Sequence, residues 1–125
     1  TMNIIISNSS SEPIYEQIKK AIKQAIYTNE LKEEEILPSV RVLANDLKIS
    51  FLTVKKAYDE LEAEGFIKTV QGKGSYVLPK NLELLREEKL KELEKNISTV
   101  VKLSKIYGIT EEEVINLIKI MFEED

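Results

Sequence analysis

The sequence predicts a mostly helical α+β fold with one short β-hairpin. Three observations predict this class. Apolar residues recur with helical period along much of the 125-residue chain. Two short helical segments near its middle are separated by only three residues. Directly after them, two β-rich runs flank QGKG at 71–74. This length fits one domain with a small appendage.

The first helix is predicted over residues 13–27, PIYEQIKKAIKQAIY. Its apolar residues share one face at helical spacing: Ile14, Ile18, Ala21, Ile22, Ala25 and Ile26. Pro13 suits the first turn, because the N–H that proline lacks has no helical partner there. Three lysines lie off the apolar stripe: Lys19, Lys20 and Lys23. We interpret the following KEEE, residues 32–35, as a polar connector.

Two further helices are predicted after Pro38, each with a serine cap. Ser39 and Ser50 can each accept a hydrogen bond from an N–H of the first turn that follows. The predicted buried faces are Val40, Leu43, Ala44 and Leu47 in the first helix, and Val54, Ala57, Tyr58 and Leu61 in the second. Gly65 suits the left-handed conformation that ends a helix. Since only KIS remains for the turn, the pair is predicted to be a helix-turn-helix.

The glycines at 72 and 74 pose a choice between a phosphate-binding loop and a hairpin turn. A Walker A loop requires glycine at 67 and serine or threonine after Lys73, and this chain has Ile67 and Gly74. A dinucleotide-binding loop requires a third glycine where Val77 stands, and a helix rather than a strand after it. The runs FIKTV and SYVL therefore predict a hairpin, which forms a wing beside the helix-turn-helix.

Two amphipathic helices are predicted after Pro79. The first spans residues 81–106, with a stripe of Leu82, Leu85, Leu90, Leu93, Ile97, Val100 and Leu103, and Gly108 follows its end. Thr110 and Glu113 form a capping box at the start of the second. Its broad apolar face consists of Val114, Ile115, Leu117, Ile118, Met121 and Phe122. The predicted domains are accordingly 1–79, a winged helix-turn-helix, and 80–125, a two-helix tail.

The tail is predicted to form a dimer, because about 45 residues rarely bury a sufficient core alone. Two-fold dimers are the commonest assembly, so a second copy of the tail is the expected partner. The residues assigned to this interface are Leu93, Ile97, Val100, Val114, Leu117, Ile118, Met121 and Phe122.

Composition excludes several classes of function. The chain has no cysteine and no histidine, so it has no disulfide, no thiolate or imidazole metal ligand, and no Cys–His or Ser–His nucleophile. We expect no enzyme activity, cofactor or metal site, and the acidic clusters 111–113 and 123–125 are interpreted as solvated helix ends. No signal peptide or membrane-spanning run is found, and a cytoplasmic location is the expectation.

The distribution of charge favours a nucleic-acid partner for the middle of the chain. The net charge is −4 overall, but residues 37–80 carry 7 basic and 5 acidic side chains. The segments 1–36 and 81–125 have net charges of −2 and −4. A local basic face can bind phosphates despite an acidic total.

The ordered motifs PIYEQI at 13–18, LPSVRVLANDL at 37–47, TVKKAYDELEAEGFI at 53–67 and GKGSYV at 72–77 resemble those of the GntR family of bacterial transcription regulators. The short two-helix tail resembles the YtrA-type subfamily. The resemblance implies a sequence-specific DNA-binding regulator that represses a bacterial operon, such as a transporter operon. Its implied partners are an inverted-repeat operator in double-stranded DNA and a second copy of the chain. No residue identifies a small-molecule effector.

The same resemblance implies which residues contact DNA. Arg41 matches an arginine at the start of the second helix, and Ser50, Thr53 and Lys55 match positions at the start of the recognition helix. Gly72 and Lys73 match the wing tip. The full predicted DNA-binding set is Ser39, Arg41, Ser50, Phe51, Leu52, Thr53, Lys55, Lys56, Gln71, Gly72, Lys73 and Gly74.

Phe51 and Leu52 depart from the family pattern. The family usually has an arginine at position 51 and often a small hydroxyl residue at position 52, and Val40 replaces a common glutamate. The usual bidentate guanine contact from position 51 therefore cannot form. Phe51 either packs on a thymine methyl group or leaves the base edge unread. The apolar pair also keeps a second hypothesis open, a winged helix that binds protein and not DNA.

Overall fold

The computed structural model describes residues 3–79 and 82–124. The chain divides into two compact units, Thr1–Leu82 and Glu83–Asp125. In chain order the elements are α1 (Ile14–Tyr27), α2 (Val40–Leu47), α3 (Phe51–Ala63), β1 (Ile67–Val70), β2 (Gly74–Val77), α4 (Leu82–Ile106) and α5 (Glu111–Glu123). This order confirms the predicted mostly helical α+β fold with a hairpin after the helix-turn-helix.

The core of the first unit lies where α1 and α2 pack on α3 and where α3 meets β1. Its largest fully buried side chains are Ile18, Ile22, Val54, Leu61, Ile67 and Val77. The predicted stripe of α3 is buried throughout, whereas in α2 only Leu43 and Ala44 are buried. Val40 and Leu47, predicted to lie in the core, are half-buried. The eight-residue α2 is thus anchored mainly by Leu43 and Ala44, with Val40 and Leu47 only partly covered.

The helix-turn-helix forms through the predicted caps. The Ser39 side chain accepts from the Val42 N–H, and the Ser50 side chain accepts from the Thr53 N–H, each at 3.1 Å. Lys48 ends α2 in the left-handed region at φ 56°. Gly65 follows α3 at φ 85°, as its position predicted. Neighbouring residues therefore define the end of α2 at Lys48, the start of α3 at Ser50 and the end of α3 before Gly65.

The hairpin pairs β1 with β2 in antiparallel register, from Ile67 opposite Val77 to Val70 opposite Gly74. The polar connector preceding α2 also forms backbone hydrogen bonds to β2, which its sequence did not predict. The Glu34 N–H donates to the Val77 carbonyl at 2.7 Å, and the Leu37 N–H donates to the Ser75 carbonyl at 2.8 Å. Its backbone groups therefore satisfy the free edge of β2 and hold the base of the wing.

The second unit consists of two amphipathic helices. Thr110 and Glu113 form the predicted capping box: the Glu113 N–H donates to the Thr110 hydroxyl, and the Thr110 N–H donates to the Glu113 carboxylate. In α4 the buried residues are Leu85 and Ser104, and α5 has none. Across residues 3–79 and 82–124, no helix is long and apolar enough to cross a membrane.

Candidate nucleic-acid interface

The predicted recognition helix, α3, exposes its first turn. Its buried stripe is Val54, Ala57, Tyr58 and Leu61. Phe51 is 43% exposed and Leu52 is 73% exposed. At 3.6 residues per turn, Leu52 lies opposite the buried stripe, near the exposed Lys55 and Lys56. The apolar pair and the two lysines all belong to the predicted DNA-binding set. The structure brings them together on one solvent-facing surface of α3.

Burial of Tyr58 holds this helix against the segment before α2. The Tyr58 hydroxyl donates to the Pro38 carbonyl at 2.7 Å, and burial raises the pKa of that hydroxyl. Tyr58 was predicted to be a core residue, and it is 3% exposed. Its hydrogen bond connects the middle of α3 with the segment that leads into Ser39. The starts of both helices are thereby positioned relative to one another.

Arg41 and Phe51 form a contact that sequence reasoning missed. The Arg41 guanidinium carbon lies 5.6 Å from the centroid of the Phe51 ring, within the range of a cation–π interaction. Both side chains are exposed. They come from the first turns of α2 and α3, so the two helix starts meet at this point. A lone phenylalanine in the position of a family arginine was the only sequence signal.

The two lysines of α3 have different partners. The Lys55 ammonium forms an ion pair with Asp59 at 2.8 Å, where both side chains are at least half exposed. The Lys56 ammonium lies 4.0 Å from the centroid of the Tyr15 ring in α1. The negative charge of Asp59 partly offsets the positive charge of Lys55. The Tyr15 ring is uncharged, so it holds Lys56 without offsetting its positive charge. Neither partner is evident from the sequence.

The wing tip is a three-residue turn, residues 71–73, closed by a hydrogen bond from the Lys73 N–H to the Val70 carbonyl at 2.9 Å. Gly72 and Gly74 have φ values of 86° and 92°, a region that favours glycine. All four predicted residues, Gln71 to Gly74, are exposed. Strand β2 begins at Gly74, one residue earlier than predicted, because Gly74 pairs with Val70.

An ion cluster joins the back of α3 to α1, and it centres on Lys19, Lys23, Glu60 and Glu64, with Glu16 at 3.8 Å from Lys19. The Lys19 ammonium lies 2.8 Å from Glu60 and 2.6 Å from Glu64, and Lys23 lies 2.7 Å from Glu64. Lys19 was predicted off the apolar stripe, yet its side chain is only 9% exposed. The cluster uses two basic residues of α1 for packing and leaves the basic residues of the α3 surface for other partners.

Protonation equilibria in the cluster favour the charged forms. Burial alone lowers the pKa of Lys19, but hydrogen bonds to Glu60 and Glu64 outweigh it and raise the net pKa above its usual value. Burial alone raises the pKa of Glu64, but hydrogen bonds from Lys19 and Lys23 bring it below its usual value. Both groups are therefore charged at neutral pH.

The described residues contain no cluster of side chains that could bind a metal ion. Within 3–79 and 82–124, no three acidic side chains converge in a way that could hold a metal ion. The acidic residues 111–113 instead occupy the first turn of α5, where the helix dipole favours negative charge.

Comparison with known proteins identifies the family. The family model described as bacterial regulatory proteins, gntR family, matches residues 14–77. The chain belongs to the GntR family. The match begins with α1 and ends with β2, so it covers the helix-turn-helix and its wing.

Individual GntR-like relatives extend the similarity into the tail. The HTH-type transcriptional repressor YtrA of Bacillus subtilis (strain 168) is 35% identical over 116 residues, which cover 93% of this chain and 89% of YtrA. A GntR family transcriptional regulator from Listeria monocytogenes has a TM-score of 0.72 at 34% identity, covering 89% of this chain and 96% of that one. The predicted resemblance to the GntR family and its YtrA-type members is confirmed, and these relatives are transcriptional regulators, not enzymes.

A protein domain that was solved in complex with DNA also shares the fold of the GntR-family domain. The DNA-binding domain of AraR, solved with operator ORX1, has a TM-score of 0.54 at 25% identity. It covers 61% of this chain and 95% of the AraR domain. The roles of the individual DNA-binding residues stay predictions.

Proposed function

We propose that this protein is a sequence-specific DNA-binding repressor that inserts the start of α3 into the major groove. The exposed start of α3 carries the proposal: one side of the helix is buried, while Phe51, Leu52, Lys55 and Lys56 face solvent. The major groove of B-DNA admits one α-helix, and its base edges are read by polar and apolar side chains. The operator complex of the AraR domain supports this use of the fold.

The candidate side chains divide into two roles. Arg41 and Leu52 are assigned to base edges, because arginine pairs with guanine and apolar groups contact the thymine methyl. Phe51 lies beside Arg41 and is assigned no base of its own. The remaining candidates are assigned to the DNA backbone, where contacts position a protein without reading sequence: Ser39, Ser50, Thr53, Lys55, Lys56, Gln71, Gly72, Lys73 and Gly74. The caps at Ser39 and Ser50 place both hydroxyls at exposed helix starts.

The operator is proposed to be an inverted repeat bound by a two-fold dimer. The eight residues assigned to the dimer interface include Ile118, 43% exposed, and Phe122, 86% exposed. Leaving such faces in water is unfavourable, and a second tail can cover them. Two copies of α3 then read two half-sites whose centres lie about 10 bp, or a multiple of that, apart. By analogy with YtrA, the bound dimer represses a bacterial operon, and it does so in the cytoplasm.

In vitro selection tests this function without a known operator sequence. The library consists of duplexes with a randomised 30-bp core, a length of about three helical turns. We expect enrichment of an inverted repeat, followed by specific binding of the selected duplex in fluorescence anisotropy. Failure to enrich any sequence, with a folded protein, would contradict the proposal. That result would favour the protein-binding hypothesis, for which the exposed Leu52 would be a contact residue.

A further inference from the structure

We propose that Phe51 is a positioning residue that holds Arg41 for the recognition of one guanine in each half-site. The inference rests on the proposed DNA-binding function and adds a specificity determinant to it. The contact joins the first turn of α2 to the first turn of α3, at the surface assigned to the groove. Selectivity for that base pair then depends on the aromatic ring of residue 51 as well as on Arg41.

The geometry shows that the Phe51 ring holds the Arg41 side chain without neutralising its positive charge. The Arg41 guanidinium carbon is 5.6 Å from the Phe51 ring centroid, and no carboxylate lies within ion-pair distance of Arg41 in the described part of the chain. An aromatic ring attracts the cation through its quadrupole and accepts no conventional hydrogen bond. The guanidinium N–H groups thus stay available for the O6 and N7 acceptors of guanine, which arginine contacts in a bidentate manner.

Lys55 differs from Arg41 in the group that holds it. Lys55 is paired with the Asp59 carboxylate, which occupies an N–H donor and partly offsets its charge. Arg41 also stands in the first turn of α2, where the positive end of the helix dipole disfavours a cation. The Phe51 ring offsets this repulsion and limits the freedom of a long side chain. Restricting the free protein to the bound geometry lowers the entropic cost of binding.

The position of Phe51 agrees with a supporting role. It lies beside the buried stripe and is 43% exposed, whereas its neighbour Leu52 lies opposite the stripe and is 73% exposed. Phe51 therefore reaches toward α2, and Leu52 reaches directly outward. Phenylalanine at position 51 cannot make the base contact that an arginine there would make. Arg41, in the neighbouring helix α2, makes the guanine contact instead.

The test measures base preference at each position of the selected duplex by competition anisotropy. The variants are Phe51→Leu, which keeps an apolar side chain of similar bulk, Phe51→Tyr, which keeps the ring, Arg41→Ala, and the double variant Arg41→Ala/Phe51→Leu. Tyr15→Leu is the matched control, because it removes the ring beneath Lys56 instead. Thermal unfolding of each variant establishes that it is folded.

We expect wild-type protein to prefer guanine at one position per half-site by about 5- to 100-fold. Arg41→Ala and Phe51→Leu should both reduce that preference to within about threefold, and the double variant should lose no more than Arg41→Ala alone. Phe51→Tyr should keep the preference, and so should Tyr15→Leu. The inference is overturned if Phe51→Leu retains the guanine preference, if Arg41→Ala leaves it unchanged, or if the two effects add. If wild-type protein selects no sequence, the proposed function itself fails. If it selects a sequence but the Phe51 variants do not behave as expected, only the role of Phe51 fails.

Discussion

At the scale of single residues, the cations of the proposed DNA-binding surface are distinguished by the partners that hold them. Lys56 and Arg41 lie against aromatic rings, and Lys55 is paired with Asp59. An exposed ion pair of this kind contributes only about 0.2–1 kcal/mol. Phosphate can therefore compete with Asp59 for Lys55, but the competition weakens binding.

Replacing Asp59 with asparagine should strengthen binding to every duplex by a similar factor. The change frees Lys55 and removes a negative charge from the proposed interface. The gain should be about 0.5–1 kcal/mol, and the salt slope should stay near the wild-type value, because Lys55 contacts phosphate in both proteins. Anisotropy titrations at several salt concentrations measure both quantities. Asp46→Asn is the control, because it changes net charge equally from the exposed surface of α2. Equal gains in both variants would show a general charge effect and not the release of Lys55.

The ion cluster of Lys19, Lys23, Glu60 and Glu64 makes stability depend on pH in a definite direction. The pKa of Glu64 is lowered by folding, so its contribution is present above the usual value of 4.5 and is lost as pH falls through the folded value. The pKa of Lys19 is raised by folding, so its contribution is present at neutral pH and is lost only above 10.5.

Glu64→Gln should therefore lower the melting temperature at pH 7 and lose this effect in acid. The variant removes the charge that Lys19 and Lys23 share, and the wild-type carboxylate loses the same charge as pH falls through its lowered pKa. Thermal unfolding followed by circular dichroism between pH 7 and pH 3 measures the difference. The control is Glu30→Gln, since Glu30 is exposed and not part of the cluster. A difference that stays constant over this pH range would contradict the assignment.

At the scale of elements, the sequence predicted what local chemistry determines. Ser39, Ser50 and Thr110 cap helices as their side chains indicated, and Gly65 ends α3 in the left-handed region. Caps act within one turn, so neighbouring residues suffice to identify them. The hairpin turn followed in the same way from two closely spaced glycines between β-rich runs.

Contacts between distant segments were missed. KEEE has little β propensity, yet the backbone at 34–37 pairs with β2 because that edge of the sheet needs partners. Lys19 and Glu60 are 41 residues apart, and Arg41 meets Phe51 only after the turn brings two helix starts together. Helical periodicity places a side chain on a face but does not identify its neighbour. The candidate surface was therefore predicted, and the pairing within it was not.

The wing should contribute affinity without much specificity. Lys73 is exposed at the tip of the hairpin, and the minor groove offers few differences between base pairs. Lys73→Ala should weaken binding by about 0.5–1 kcal/mol on the selected and on a scrambled duplex alike, and should reduce the salt slope by about one unit per subunit. Anisotropy on both duplexes measures these changes. A changed preferred sequence after in vitro selection with the variant would refute this placement of the wing.

At the scale of the whole molecule, the tail helices have apolar surfaces that the single chain does not bury. Leu117, Ile118, Met121 and Phe122 are between 43% and 86% exposed. Capping by Thr110 and Glu113 stabilises the start of α5, but the apolar face of a helix is stabilised mainly by tertiary packing. A second copy is the partner that we propose.

Ile118→Glu combined with Phe122→Glu should convert a dimer into monomers. Burying carboxylates in an apolar interface without partners is strongly unfavourable, so the interface should not form. Light scattering at micromolar concentration measures the mass, with 14.3 kDa expected for one chain. Lys119→Glu is the control, because it introduces a carboxylate between these positions at a residue that is already charged and exposed. A wild-type monomer at this concentration would contradict the dimer model.

The salt dependence of binding to the selected duplex tests the central claim most directly. If a dimer neutralises phosphates with Lys55, Lys56 and Lys73 of each subunit, the logarithm of the binding constant should fall linearly with the logarithm of salt concentration. The slope should be about −5, since each phosphate contact contributes about −0.9. A scrambled duplex should show a similar slope and a lower affinity. A slope near zero for both duplexes would contradict DNA binding through this surface.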